Sequence, residues 1–380
     1  MTTPDLALTM PLDGVQWIEA SAGTGKTYTL AGLYLRWIVE RRHTPREILA
    51  VTFTEAATQE LKGRLRARLS ACVAVLESNL ALDAETDKNA ERSQAKHLLR
   101  AALAQEPRPD LLRRLRLAAL DIDHAPILTI HGFCRRALAD FGLLAGRALV
   151  GDLVGTDKDL IAVATADEWR ARATASEASD FHTLQAAFKS PEDLASILAK
   201  LLPGMRRLLP APAADNRAMT LLHEAVGQVR ERVDVAKRSA GRYSHDDEIR
   251  ELHEALQDET HGAEIAQRLR DRYPVALIDE FQDTDARQWA IFKAIYAEHG
   301  GLILIGDPKQ AIYGFRGGDV QTYLRAGASA SGKQTLTHNF RSTPAYLRAL
   351  NALYRSAGSH AFAQAGIDYE PMQPGSDAAD

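Results

Sequence analysis

Nine residues near the start of the chain have the types and spacing to hold phosphate: Glu19-Ala20-Ser21-Ala22-Gly23-Thr24-Gly25-Lys26-Thr27. A short apolar run, Val15 to Ile18, precedes them. A helical pattern follows at Leu30, Leu33, Tyr34, Trp37 and Ile38. Strand, glycine-rich turn and helix is the setting that a phosphate-binding loop requires. The N–H groups of Ala22 to Lys26 can turn inward around phosphate oxygens, and the helix N-terminus adds the positive end of its dipole. Lys26 is placed to reach the β- and γ-phosphates of ATP, and the Thr27 hydroxyl to sit on Mg2+. Ala20 stands where the usual pattern begins with glycine, so this is a variant of the loop. The competing reading is a glycine-rich turn with no ligand.

Two further segments carry chemistry. Val275-Ala-Leu-Ile runs into Asp279-Glu280-Phe281-Gln282-Asp283, so an apolar strand delivers adjacent carboxylates at its C-terminal end. Asp279 is expected to hold hydrated Mg2+ opposite Thr27, and Glu280 to polarise the attacking water as a general base. Alone, an acidic pair after an apolar run is a weak signal. The third segment is Ile305-Gly306-Asp307-Pro308-Lys309-Gln310-Ala311-Ile312-Tyr313-Gly314-Phe315-Arg316-Gly317. Gln310 can bond both a γ-phosphate and the attacking water. Tyr313, Phe315 and Arg316 suit base stacking and phosphate contact on single-stranded nucleic acid, while two aromatics taken alone read more readily as core.

These residues must be positioned by strands. The sequence predicts strands at Gln16–Glu19, Ile48–Phe53, Ile127–Ile130, Val275–Ile278, Leu302–Ile305 and Gln334–His338, each followed by a polar turn and then a helical pattern. Near-continuous apolar runs fit strands buried on both faces of a parallel sheet. The fold class is therefore α/β, doubly wound, with ligands at the strand C-terminal ends. Between about Gly151 and Gly241 strand signals vanish and Ala, Leu, Glu and Arg recur at helical spacing, which reads as a helical insertion. Leu61 to Leu120 is a second helical stretch. Residues 358–380 carry little periodic pattern.

The chain has 380 residues, a net charge of -4, 25% charged and 46% hydrophobic residues. Such a molecule is no polycation, so a nucleic-acid surface must be a local groove. Lys62, Arg64, Arg66 and Arg68, then Arg113, Arg114 and Arg116, then Arg135 and Arg136 cluster locally; each cluster alone reads as a solvated helix face. Two cysteines, Cys72 and Cys134, point to a reducing cytoplasm without a disulfide framework or zinc site. No membrane-length apolar run and no signal-peptide layout is present.

Taken together, these segments resemble motifs I, II and III of the UvrD/Rep class of DNA helicases. Val51-Thr-Phe-Thr-Glu-Ala-Ala resembles that family's motif Ia, Thr129-Ile-His131-Gly-Phe133-Cys its Thr-Phe-His-Gly element, and Asn339-Phe340-Arg341-Ser342 its motif IV. Ser244-His-Asp246-Asp247 is a looser match to an aromatic-Asp-Asp-Leu segment, with His245 at the aromatic and Glu248 at the leucine position. The wording lies nearest the RecB-type branch. The resemblance implies a RecA-like P-loop NTPase domain in two parts, residues 1–150 and 243–332. A helical insertion at 151–242 divides it, and the start of a second RecA-like domain follows at 333–380. It implies that Phe53, Thr54 and His131, with Phe315, line a single-strand path. It also implies that Phe340 stacks adenine and that Arg341 acts as an arginine finger. It implies single-stranded DNA and DNA ends as partners, RecC-like and RecD-like subunits for a full-length protein, and double-strand break repair as the setting. Motifs V and VI and a nuclease segment are not found, so the chain reads as an N-terminal portion. Its alternative reading is a non-motor module that binds DNA or a helicase partner.

Overall fold

The computed structural model describes residues 5–78, 82, 89–147, 151–174, 178–202, 216–312, 319–358, 361–362 and 364–375. Ten strands occur among them: β1 (Gly14–Ala20), β2 (Ile48–Thr52), β3 (Ile127–Thr129), β4 (Asp152–Val154), β5 (Arg242–Ser244), β6 (Val275–Ile278), β7 (Gly301–Gly306), β8 (Gly332–Leu336), β9 (His338–Asn339) and β10 (Gln373–Pro374). The chain forms two units, Met1–Phe133 with Ala263–Thr284 and Gln288–Asp380, and Cys134–Gly262 with Asp285–Arg287.

The first unit holds a six-stranded sheet in the order β3-β2-β6-β7-β1-β8, and every pairing in it is parallel. Its fold class is the α/β, RecA-like one expected. The central strands are buried along their whole length: Ile-Leu-Ala-Val-Thr in β2, Val-Ala-Leu-Ile in β6 and Gly-Leu-Ile-Leu-Ile-Gly in β7. Continuous apolar sequence is what helices on both sheet faces demand. β8 is an edge strand and is mostly exposed at Lys333, Gln334 and Thr335, a polar edge that discourages further pairing. It pairs with β1 from Gln16↔Gly332 to Ala20↔Leu336.

Helix Lys26–Val39 packs on the sheet through Leu30, Leu33, Tyr34, Trp37 and Ile38, all fully buried. The stretch from Leu61 to Leu120 resolves into helices Glu55–Glu77, Ala90–Leu103 and Arg108–Asp121. Its basic residues are largely paired. Arg64 meets Glu60, Arg66 meets Asp123, Arg116 meets Glu77, and the Arg68 guanidinium lies 4.7 Å from the Tyr28 ring centroid. These are the satisfied helix faces that each cluster taken singly suggested. No helix among the described residues is long and apolar enough to cross a membrane.

The second unit packs helices Lys158–Thr174, Ala178–Phe188, Pro191–Leu201 and Arg217–Ser239 around Ile161, Leu184, Leu194, Leu198, Leu221, Val229 and Val233. The sequence missed its two short strands, β4 and β5, which pair in parallel. Each has three residues, and β4 is largely exposed, so neither leaves an apolar pattern. Glycine is required where they begin: a Cβ on Gly151 would stand 1.7 Å from the Gly241 carbonyl oxygen.

The Ser244-His-Asp246-Asp247 segment opens helix His245–Leu256 with a capping box between Ser244 and Asp247. Lys237, 5% exposed, donates to Asp157 at 2.9 Å and Asp247 at 2.7 Å. Burial lowers the Lys237 pKa, but the two carboxylates outweigh it and hold the ammonium above its usual range. Lys237→Ala leaves Asp157 without its ammonium, while Asp247 keeps Arg250 at 2.7 Å, so it is expected to cost about 3 kcal/mol of stability, the lower end for a broken buried pair. Urea unfolding checks this, and a loss below about 1 kcal/mol would show the pair to be well solvated. Glu248, at the expected leucine position, is fully buried, with His245 Nδ1 at 3.0 Å and Arg135 at 3.7 Å.

Candidate functional site

The loop between β1 and helix Lys26–Val39 runs from Ser21 to Gly25, with Ala20 buried at the strand end. Gly23 and Gly25 adopt φ of 80° and 83°, a left-handed backbone that glycine enters without strain. Thr24 folds the loop back on itself, its N–H and hydroxyl both donating to the Ser21 carbonyl at 3.2 and 2.7 Å. Gly25 is the N-cap and offers no side-chain cap. The first N–H groups of the helix, from Lys26 and Thr27 onward, thus have no intrahelical acceptor, and such a terminus favours an anion.

β6 ends beside this loop. Asp279 N–H donates to the Val51 carbonyl at 2.8 Å, which ties the acidic turn to β2. Glu280 then takes a left-handed φ of 53°. A non-glycine residue there carries strain of the kind that gathers at functional turns. The Lys26 ammonium lies 3.3 Å from Asp279 Oδ1 and bonds Glu280 Oε1. Burial lowers Lys26; Asp279 and then Glu280 more than offset it, and the pKa rises. Burial raises Asp279 against the pull of Lys26, with Glu280 adding to the rise. Asp279 is therefore a desolvated carboxylate whose charge the Lys26 ammonium supports.

β7 delivers the third segment. Asp307 Oδ2 accepts from Gln310 Nε2 at 2.8 Å, and Asp307 Oδ1 lies 2.9 Å from Lys309 Nζ. Lys309 also bonds Glu19 from β1. A fourth element closes over the phosphate loop. Asn339 Nδ2 donates to the Ala22 carbonyl at 2.8 Å, and Phe340 N–H donates to the Gly23 carbonyl at 2.8 Å. Asn339 Oδ1 accepts from the N–H groups of Arg341 and Ser342 at 2.9 and 2.8 Å. A Cβ on Gly23 would stand 2.8 Å from Arg341 Cβ. Phe340 is 47% exposed. The Arg341 guanidinium makes no ion pair with any of the described residues.

Phe53 lines a water-sized cavity of about 20 Å3 with Thr52, Ile130, Asp279, Glu280 and Asp283. The Thr54 hydroxyl caps helix Glu55–Glu77 by accepting from Ala57 N–H at 3.1 Å, so this residue has a structural duty. His131 is half-buried in helix Ile130–Phe141. Tyr313, Phe315 and Arg316 lie outside the described residues. Gln16 is buried in β1 and donates to the Asp13 carbonyl at 2.6 Å. Sequence reasoning passed over Gln282, Asp307 and Lys309, which hold the acidic and Gln310 turns together. A larger cleft of about 890 Å3 lies among Arg46, Glu106, Arg114, Leu117 and Asp121. Its Arg46–Asp121 and Arg114–Glu106 pairs satisfy one another, and it contains none of the motif residues.

Burial, and then Glu280, raise Asp283 from 3.8 to about 6, with Lys26 opposing. Its Oδ1 is buried without a hydrogen-bond partner, which suits a protonated carboxyl. A native pKa above the unfolded value means stability from this group is full below about pH 4 and is lost as pH rises through about 6. Asp283→Asn is expected to raise the ligand-free melting temperature at about pH 8 and to leave it little changed at about pH 4. An equal shift at both pH values would remove the titration argument.

A sequence profile described as UvrD/REP helicase N-terminal domain matches residues 2–331. The RecBCD enzyme subunit RecB of Mycolicibacterium smegmatis is 36% identical over 343 residues, covering 90% of this chain and 30% of that protein. The same-named subunit of Mycobacterium tuberculosis is 35% identical, covering 92% and 30%. That of Escherichia coli is 28% identical, covering 96% and 40%. The chain thus spans between about three tenths and two fifths of the length of these relatives.

Proposed function

The chain belongs to the UvrD/REP helicase family, and from that premise we propose that it is the ATP-binding motor portion of a RecB-like DNA helicase. One observation carries the reading: Lys26 opens an uncapped helix behind the phosphate loop, with Asp279 and Glu280 at its ammonium. The backbone from Ala20 to Lys26 cradles the phosphates of ATP. In the ligand-free chain Lys26 neutralises the two carboxylates; with nucleotide bound it turns to the β- and γ-phosphate oxygens. The Thr27 hydroxyl and the Asp279 carboxylate are hard oxygen donors that would hold Mg2+, which supplies charge neutralisation at the phosphates. Among the described residues no group of three or more His, Cys, Asp or Glu could hold a metal. That suits a cation taking most of its ligands from phosphate and water.

Glu280 takes the proton of the attacking water, and Gln310 orients that water against the γ-phosphate. Phe340 stacks adenine, and Arg341 brings positive charge to the γ-phosphoryl group as it passes from ADP to water. Phe53, Thr54 and His131, with Tyr313, Phe315 and Arg316, contact single-stranded DNA, so that hydrolysis drives translocation. In a longer protein this portion acts at double-strand DNA ends in recombination repair, with RecC-like and RecD-like partners.

The test is ATP turnover and ATP binding, with and without single-stranded DNA, beside a Lys26→Ala control. DNA-stimulated turnover that needs Lys26 supports the motor reading. ATP binding that needs Lys26, without turnover, supports the ATP-binding portion and moves translocation to a longer chain. Binding and turnover equal to the control would sink the reading and leave a non-motor module.

A further inference from the structure

We propose that Gln282 is a positioning residue: it holds the Glu280 carboxylate and ties it to the turn that carries Gln310. The inference rests on the nucleotide site just described. Gln282 is 2% exposed, and both ends of its amide are used. Nε2 donates to Glu280 Oε2 at 2.8 Å, and Oε1 accepts from the Asp307 N–H at 3.0 Å. Only one amide orientation satisfies both, because a carboxylate cannot donate and a backbone N–H cannot accept. The Asp307 carboxylate continues the chain to Gln310 Nε2. A hydrogen-bonded path therefore runs from Glu280 through Gln282 and Asp307 to Gln310.

A second observation supports the path. β7 ends in Gly306, and a Cβ there would stand 2.5 Å from Gln282 Oε1. The strand end is open where the amide crosses. Glu280 has one keeper per oxygen, Lys26 on Oε1 and Gln282 on Oε2. When Lys26 turns to phosphate, Gln282 is the side chain that still holds the base. A base on a strained left-handed backbone needs such a hold, since a misplacement of about 1 Å can cost about 100-fold in rate.

The substitution that separates positioning from mere core filling is Gln282→Glu. Its ionised carboxylate still accepts from the Asp307 N–H but repels Glu280. Once protonated, it can donate to Glu280 again. Relative to wild type, kcat is expected to fall about 10- to 100-fold at about pH 8 and to recover at about pH 6, with KM for ATP changed less than about threefold. Gln282→Met is expected to lose kcat without that recovery. Wild-type kcat for Gln282→Glu at every pH would overturn the proposal.

If wild type binds ATP through Lys26 without turnover, hydrogen exchange of residues 303–312 replaces kcat. A non-hydrolysable ATP analogue is expected to protect that segment in wild type and not in Gln282→Glu at about pH 8; equal protection would overturn the proposal. If wild type shows no Lys26-dependent ATP binding, the nucleotide-site reading itself fails and this inference falls with it.

Discussion

Lys26→Ala is expected to abolish measurable ATP turnover, a loss on the order of 1,000-fold or more, and to weaken nucleotide binding as well. The size follows from what the ammonium faces. Its side chain is 19% exposed, against 15% for Asp279 and 33% for Glu280. A cation so little hydrated is worth more to a polyphosphate than an exposed lysine would be. The substitution also has a cost without ligand, because the two carboxylates lose their shared counter-charge. That cost is about 1–3 kcal/mol at neutral pH, below the full buried-pair value because Glu280 is partly solvated. The sign with pH is fixed. The raised Lys26 pKa means its contribution is intact at neutral pH and is lost only above the ordinary lysine value of 10.5. In the variant, carboxylate repulsion fades as pH falls and Asp279, its carboxyl raised by burial, takes up a proton. The melting temperatures of variant and wild type should therefore converge toward acid. Turnover within tenfold of wild type would show that the loop does not hold the reacting phosphates through Lys26.

What the sequence made legible follows from burial. β2, β6 and β7 were readable because strands covered on both faces need consecutive apolar residues, and their ends put Asp279 and Asp307 near one another. The phosphate loop was readable because Gly23, Gly25 and Lys26 are each required by backbone or charge. β4 and β5 left no pattern because β4 packs almost nothing under its side chains. Gln282 was overlooked for a different reason. Its worth lies in the Asp307 N–H, a group 25 residues away in sequence, and no local spacing encodes that pairing. Asn339 makes the same point. As part of a motif it carried no separate role, yet its amide grips the Ala22 carbonyl and orders the N–H groups of Arg341 and Ser342. β8 was recognised as a strand, but its pairing partner is decided by which sheet edge is open, and that is a property of the assembled fold.

Arg341→Ala is expected to reduce ATP turnover by about three to five orders of magnitude, the range for a removed arginine finger. It should leave the melting temperature and ATP affinity nearly unchanged. The separation follows from how the residue is held. Its backbone is fixed by Asn339, and Asn339 and Phe340 both anchor on the carbonyls of the phosphate loop. None of those contacts uses the guanidinium. An exposed side chain without an ion pair among the described residues contributes within about 0.5 kcal/mol to stability, so truncation has little to break in the ligand-free chain. The ground state of bound ATP also gains little from it, because the charge it meets develops as the phosphoryl group leaves. Arg341→Lys should restore only part of the rate, since an ammonium keeps the charge but lacks the planar fork that grips two phosphoryl oxygens. The decisive comparison is ADP against ADP with aluminium fluoride, a mimic of the transferring phosphoryl. Arg341→Ala should bind ADP as wild type does and lose the extra affinity for the fluoride complex. Equal loss for both ligands would make Arg341 an ordinary binding residue, and no loss for either would remove it from the nucleotide site.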